Sequence, residues 1–140
     1  MVKASAASFT GVFTALVTPM RAGDGGPVVD DAGLARLVEV QVAAGVQGLV
    51  ACGTTGEAAT LTAEEQARVV RVVVEAAAGR VPVLAGVGSP STTTSLSLGK
   101  AALSVGATGL LAVTPYYNRP PQEGLFQHFA ALCSLGAPIV

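Results

Sequence analysis

The 140-residue sequence predicts an α/β fold in which helices cover a parallel sheet. Three observations carry this. The strand candidates, such as VQGLVAC (46–52) and VPVLAGV (81–87), are continuous apolar runs rather than alternating ones, which means burial on both faces. They take turns with segments of helical periodicity. A weak internal repeat marks the junctions: Ala44-Gly-Val-Gln-Gly-Leu-Val50 resembles Val105-Gly-Ala-Thr-Gly-Leu-Leu111, each at a helix-to-strand turn, and Gly79 and Gly136 fall at the same junction in two further units. The units recur about every 30 residues, the length of one βα pair.

Taken in order, Phe9 to Val17 reads as the first strand, ended by Thr18-Pro19. Leu34 to Ala44 reads as a helix, with Leu34, Leu37, Val38 and Gln41/Val42 at spacings of three and four, and Asp30 or Asp31 as its cap. Val46 to Cys52 is the second strand. Thr62-Ala-Glu-Glu65 matches a capping box. The helix it opens runs to about Ala77, with Val69, Val72, Val73 and Ala76 inward. Val81 to Val87 is the third strand, and Ser89-Pro90 opens the third helix. Thr108 to Val113 is the fourth strand. Pro121 opens a fourth helix with Leu125, Phe126, Phe129 and Leu132 on one side, and Ala137 to Val140 begins a fifth strand.

Two architectures accommodate this order. An open doubly wound sheet suits the length, whereas a (β/α)8 barrel needs about 250 residues. The loops weigh toward the barrel. No linker or low-complexity tract divides residues 1–140, so they read as part of one domain.

Composition excludes several classes of function. The net charge is -1 and the charges are scattered, so no nucleic-acid footprint or membrane patch is expected. No apolar run approaches the ~18 residues of a membrane span. The start, MVKASAASFTG, lacks the apolar block of a secretory signal, and a cytoplasmic location is expected. Cys52 and Cys133 have neither metal nor disulfide spacing, and both read as buried thiols in a reducing compartment. No metal site is expected.

The polar residues gather where each strand ends: Thr18-Pro19, then Gly53-Thr-Thr-Gly-Glu57, then Gly86-Val-Gly-Ser-Pro90, then Thr114-Pro-Tyr-Tyr-Asn-Arg119. A parallel α/β sheet of either kind carries its function on that rim. The Gly53 to Glu57 loop has two readings. It is a plain Gly/Thr turn, or an anion cradle in which glycines admit close backbone approach and two hydroxyls donate. It is neither a Walker loop nor G-x-G-x-x-G. Tyr116 and Tyr117 are suited either to proton transfer or to a subunit contact. His128, the only histidine, has no acidic or thiol partner placed for a triad or a metal and reads as structural. Lys3 and Lys100, the only lysines, read as solvated.

GTTGEAATLTAEE (53–65) and VTPYYNRPPQEGLFQHF (113–129) closely resemble the dihydrodipicolinate synthase family, and so do ALVTPM (15–20) and VPVLAGVG (81–88). The resemblance runs through nearly the whole chain from Phe9. The G-T-T-G-E motif is shared with a wider superfamily of pyruvate-dependent aldolases that includes N-acetylneuraminate lyase. The double tyrosine before Asn-Arg-Pro narrows the match. It implies the first four βα units of a (β/α)8 barrel and the start of strand five. The implied reaction condenses pyruvate with L-aspartate 4-semialdehyde to 4-hydroxy-tetrahydrodipicolinate, in lysine biosynthesis. Pyruvate would be held as a Schiff base on a barrel lysine, with no metal and no separate organic cofactor. Through the motif, Gly53 and Thr55 would bind the pyruvate carboxylate and Thr54 would pass protons. Tyr117 would complete that relay in a neighbouring subunit, and Tyr116 would sit at the tight dimer interface of a dimer or dimer of dimers.

The sequence departs from the family pattern in two places. The family's Schiff-base lysine and a second relay tyrosine belong to later strands, and neither Lys3 nor Lys100 matches by position. The 140-residue chain is therefore expected to hold half an active site and to be inactive by itself. Family members inhibited by lysine tend to carry His, Asn and Glu where this sequence has Ala63, Pro90 and Thr94, so lysine feedback is not expected. Three competing readings stand beside this one: another pyruvate-dependent aldolase of the superfamily, a non-enzymatic half-barrel that pairs with itself, and an open sheet that binds a phosphorylated ligand at the Gly53 to Glu57 loop.

Overall fold

The computed structural model describes residues 9–140; Lys3 lies outside the described residues. The strands are β1 (Phe13–Ala15), β2 (Met20–Gly23), β3 (Gly26–Val29), β4 (Gly48–Ala51), β5 (Val83–Gly86) and β6 (Gly109–Leu111). The helices are α1 (Asp31–Ala43), α2 (Ala63–Ala77), α3 (Thr92–Ser104) and α4 (Gln122–Cys133). No described helix is long and apolar enough to cross a membrane.

The main sheet is parallel, in the order β1-β4-β5-β6. A parallel bridge from Leu110 to Ile139 extends it at the fifth predicted strand. The order never reverses. Right-handed crossovers then place every helix on the same side of the sheet. Consecutive helices accordingly pack as α1 on α2, α2 on α3 and α3 on α4. A doubly wound sheet requires a reversal, so the open-sheet reading is corrected in favour of a curved barrel wall.

The core lies between this wall and its helices. Leu34, Leu49 and Leu110 are completely buried there, each worth roughly 1.5–3 kcal/mol over exposure. Val17 and Val113 are exposed instead, and alternation turns Val17 away from its buried neighbour Leu16. Two forked ion pairs brace the outside. Arg68 forks onto Asp31 at 2.7–3.0 Å, and Arg80 onto Glu39 at 2.6–2.9 Å. In each pair hydrogen bonding raises the arginine pKa, and Glu39 is lowered by the same contact with Arg80.

The capping expectations for the first two helices hold. Thr62 and Glu65 form a reciprocal capping box, with the Thr62 N–H donating to Glu65 Oε2 at 2.8 Å. Asp30 is the cap of α1, taking the Gly33 N–H at 3.0 Å, while Asp31 is the first helical residue. The repeat is real at the backbone level. Gly45, Gly79, Gly106 and Gly136 all have φ between 70° and 100°, the left-handed exit that ends a helix before a strand. Gln47 and Thr108, equivalent in the repeat, each accept a backbone N–H from the start of the neighbouring strand segment: Val12 N–H, just before β1, donates to Gln47 Oε1 at 2.7 Å, and Val83 N–H of β5 to Thr108 Oγ1 at 3.2 Å.

Several boundaries and faces are corrected. The first strand pairs only over Phe13–Ala15. It is followed by an antiparallel hairpin, β2–β3, that the hydrophobic pattern missed. Helix α3 begins at Thr92 rather than at Ser89-Pro90, because the Ser91 side chain accepts the Thr94 N–H and caps it. On α2 the fully buried face is Val69, Val70, Val73 and Ala77, with Val72 and Ala76 only partly covered. On α4 the buried residues are His128 and Leu132, while Phe126 is 66% exposed. Cys133 is exposed, not buried: it follows Leu132, and one residue turns a helix by about 100°.

His128 keeps the structural place expected of it. It is 3% exposed, its Nδ1 shares a hydrogen bond with Thr92 Oγ1 at 2.8 Å, and its ring meets Phe129 edge-on at 5.3 Å.

Candidate active site

The C-terminal ends of β4, β5 and β6 open onto a cleft of about 560 Å³ whose walls include Gly53, Thr54, Glu57, Gly88, Tyr116 and Tyr117. The first wall is a tight turn. Gly56 N–H donates to Gly53 O at 3.1 Å and Glu57 N–H to Thr54 O at 3.0 Å. The chain then makes a short 3-10 turn at Ala58–Thr60. Gln66 on α2 ties that turn down through its Nε2, which donates to Ala58 O at 2.9 Å. Thr54 and Thr55 are exposed. Their backbone N–H groups find no acceptor among the described residues. Free successive amides flanked by hydroxyls are a ready anion site.

The second wall rises after β6. Asn118 N–H donates to Tyr116 O at 2.8 Å, closing a three-residue turn with Tyr117 at its tip and φ of 65°. That backbone is rare and strained for a residue with a Cβ. Asn118 Nδ2 fixes the turn to Pro90 O at 3.1 Å. The tip presents Tyr117 with 91% of its surface exposed, and the two tyrosine rings meet edge-on at 5.7 Å.

The cleft thus brings together Gly53, Thr54, Tyr116 and Tyr117. Thr55 is on the same turn but not on the cleft wall. Lys100 is exposed in the middle of α3. Of the three positions considered for lysine feedback, Thr94 lines the cleft, Ala63 is the exposed first residue of α2 and Pro90 is half-buried. Among the described residues no three His, Cys, Asp or Glu side chains gather as a metal site.

Beneath the turn lies Cys52, buried and with φ of 55°. Its Sγ points at Gln66 O, 3.7 Å away. Burial pushes the Cys52 thiol up from 9.0 to about 12. Below pH 9.0 the thiol keeps its proton in both folded and unfolded chains. Above that, the unfolded thiol ionises while the folded one holds its proton until about pH 12, so stability falls as pH rises through this window. Urea melts at successive pH values are expected to show that decline in the parent and a shallower one in Cys52→Ala. Equal slopes would count against the buried thiol as the cause.

Sequence reasoning placed the Gly53 to Glu57 turn and the tyrosine pair on the rim. It did not find the roles of Thr18, Gln66 or Gly86. Thr18 Oγ1 donates to Gly56 O at 2.7 Å, and a Cβ on Gly86 would land on the Cys52 carbonyl. Both contacts join segments far apart in sequence, and no local pattern announces them.

Residues 8–140 match the Dihydrodipicolinate synthetase family. A 4-hydroxy-tetrahydrodipicolinate synthase of Nitratidesulfovibrio vulgaris is 53% identical over 126 residues, which are 90% of this chain and 42% of that protein. The 4-hydroxy-tetrahydrodipicolinate synthase of Methylacidiphilum fumariolicum superimposes with a TM-score of 0.89 at 42% identity, covering 95% of this chain and 43% of the other. The chloride-inhibited dihydrodipicolinate synthase of Acinetobacter baumannii, solved in complex with pyruvate, gives 0.87 at 44% identity over 94% of this chain and 45% of the other. The chain spans 42% of the length of the first of these relatives. With a non-reversing α/β wall, this rim turn and this tyrosine pair, the chain belongs to the Dihydrodipicolinate synthetase family.

Proposed function

We propose that residues 1–140 form the N-terminal half of a single (β/α)8 domain. The full-length protein condenses pyruvate with L-aspartate 4-semialdehyde to 4-hydroxy-tetrahydrodipicolinate, a step of lysine biosynthesis in the cytoplasm. The observation that carries this reading is the pair of unpartnered amides at Thr54 and Thr55 beside the cleft that Tyr117 overhangs. A 2-oxo acid offers a carboxylate to such amides and a carbonyl to an amine. Names of relatives at about half identity support the same chemistry.

In this reading Gly53 and Thr55 hold the pyruvate carboxylate. Thr54, which lines the cleft, moves protons as the Schiff base forms and resolves, work that a positioned hydroxyl performs near neutral pH. The amine belongs to a lysine outside residues 1–140. Tyr117 stands almost free on a fixed, strained turn, a geometry suited to insertion into a second copy; there it completes the partner's relay while Tyr116 packs at the contact. The protein then works as a homo-oligomer.

Borohydride trapping tests the reading. Pyruvate and borohydride are expected to leave one covalent adduct per full-length chain, on a lysine beyond Val140, and none on the isolated 140-residue chain, which shows no synthase activity. An adduct on Lys3 or Lys100 would overturn it. Turnover with pyruvate and a different aldehyde, and none with the semialdehyde, would reassign the protein to another aldolase of the superfamily.

A further inference from the structure

We propose that Thr18 is a positioning residue for the substrate-binding turn, acting through one buried hydrogen bond to the Gly56 carbonyl. This rests on the reading above, in which the turn holds a carboxylate.

The turn's internal bonds, Gly56 N–H to Gly53 O and Glu57 N–H to Thr54 O, fix its shape. They do not fix its direction relative to the sheet. Two outside contacts do that. At the entry, Gly86 lies flush against the Cys52 carbonyl and leaves no room for the chain to sink. At the exit, Thr18 reaches across from the loop that follows β1, 38 residues away in sequence, and donates Oγ1 to Gly56 O at 2.7 Å.

The exit contact is a built one. Thr18 is 8% exposed and Gly56 is buried. A Cβ on Gly56 would lie 3.1 Å from Leu16 O and 3.3 Å from Thr18 Oγ1, so glycine is what lets the turn approach the strand this closely. Leu16 N–H is itself bonded to Val50 O at 2.9 Å. The tether therefore runs from the turn into the sheet. Without the hydroxyl, the Gly56 carbonyl is a buried acceptor with no donor, a costly state. The turn then relaxes by pivoting at Gly53, and the amides of Thr54 and Thr55 leave their aim. Small displacements of an aligned binding group cost large factors in rate and affinity.

The experiment uses full-length protein with Thr18→Val, which keeps the shape and removes the hydroxyl, and Thr18→Ser, which keeps the hydroxyl. Thr18→Val is expected to raise KM for pyruvate about tenfold, with the KM of the second substrate little changed. Thr18→Ser is expected to restore the parental value. Hydrogen exchange read without substrate gives a second arm: the Gly56 and Glu57 amides should exchange faster in Thr18→Val and not in Thr18→Ser. Equal losses in both variants would assign the effect to packing and overturn the proposal, as would an unchanged pyruvate KM in Thr18→Val. If even the parent protein binds no pyruvate, the carboxylate reading falls and this proposal falls with it. That outcome is told apart from a failure of Thr18 alone by the parent's own lack of binding and trapping.

Discussion

Gly86→Ala is expected to destabilise the fold by about 3 kcal/mol or more, at the upper end of the cost of overfilling a packed site. A Cβ there meets the backbone carbonyl of Cys52, not the end of a flexible side chain. Neither partner can retreat. Gly86 is the last residue of β5 and is paired with Leu111 of β6, while Cys52 is already held at φ of 55°, where further distortion is expensive. For a chain of this size the change lowers Tm by roughly 10 °C. Gly25→Ala is the control: nothing lies within 4 Å of its added Cβ, and the change should fall within about 0.5 kcal/mol. Thermal unfolding by circular dichroism reads both. If the two variants melt together, the Cys52–Gly86 contact yields more easily than its geometry implies.

The second large effect is on chemistry rather than stability. On the proposed assignment, Thr54→Val in the full-length protein is expected to reduce kcat about 100- to 1,000-fold, the range lost with a positioned proton-transfer group. KM for pyruvate should change little, because the carboxylate contacts are assigned to Gly53 and Thr55. Thr54 is an exposed residue of the cleft wall, so stability should be unaffected and the kinetic loss can be read directly. Thr55→Val is expected to give the opposite split, raising KM for pyruvate more than it lowers kcat. A Thr54→Val enzyme with near-parental kcat would remove Thr54 from the relay.

The parts of this fold that were legible are those encoded locally. The capping box at Thr62 and Glu65, the apolar strands and the recurring left-handed glycines at Gly45, Gly79, Gly106 and Gly136 each write their geometry into a few adjacent residues. The hairpin was legible and overlooked: Asp24-Gly25 is a two-residue turn signal, but its strands are short and β2 is largely exposed. Helix α4 was misread because hydrophobicity was counted without phase. Leu125, His128, Phe129 and Leu132 stand at i, i+3, i+4 and i+7, one continuous stripe; Phe126 falls off it and His128 belongs to it. Length alone pointed to the open sheet; the barrel was legible only through the rim motifs and the resemblance they carry, since strand order is a property of the whole chain. The candidate site was legible as residue types on a rim. The struts behind it, Thr18 and Gly86, were not, because each acts on a partner dozens of residues away.

The non-reversing strand order has a consequence for how this structure comes apart. Each βα unit leans on the units before and after it and on little else, so cooperativity is passed from neighbour to neighbour as in a stacked array. β4 and β5 are paired on both sides, and β6 is too, through the bridge from Leu110 to Ile139. The Gly53 to Glu57 turn is rooted on β4, which is paired on both sides, so its footing shifts only when a neighbouring pair gives way.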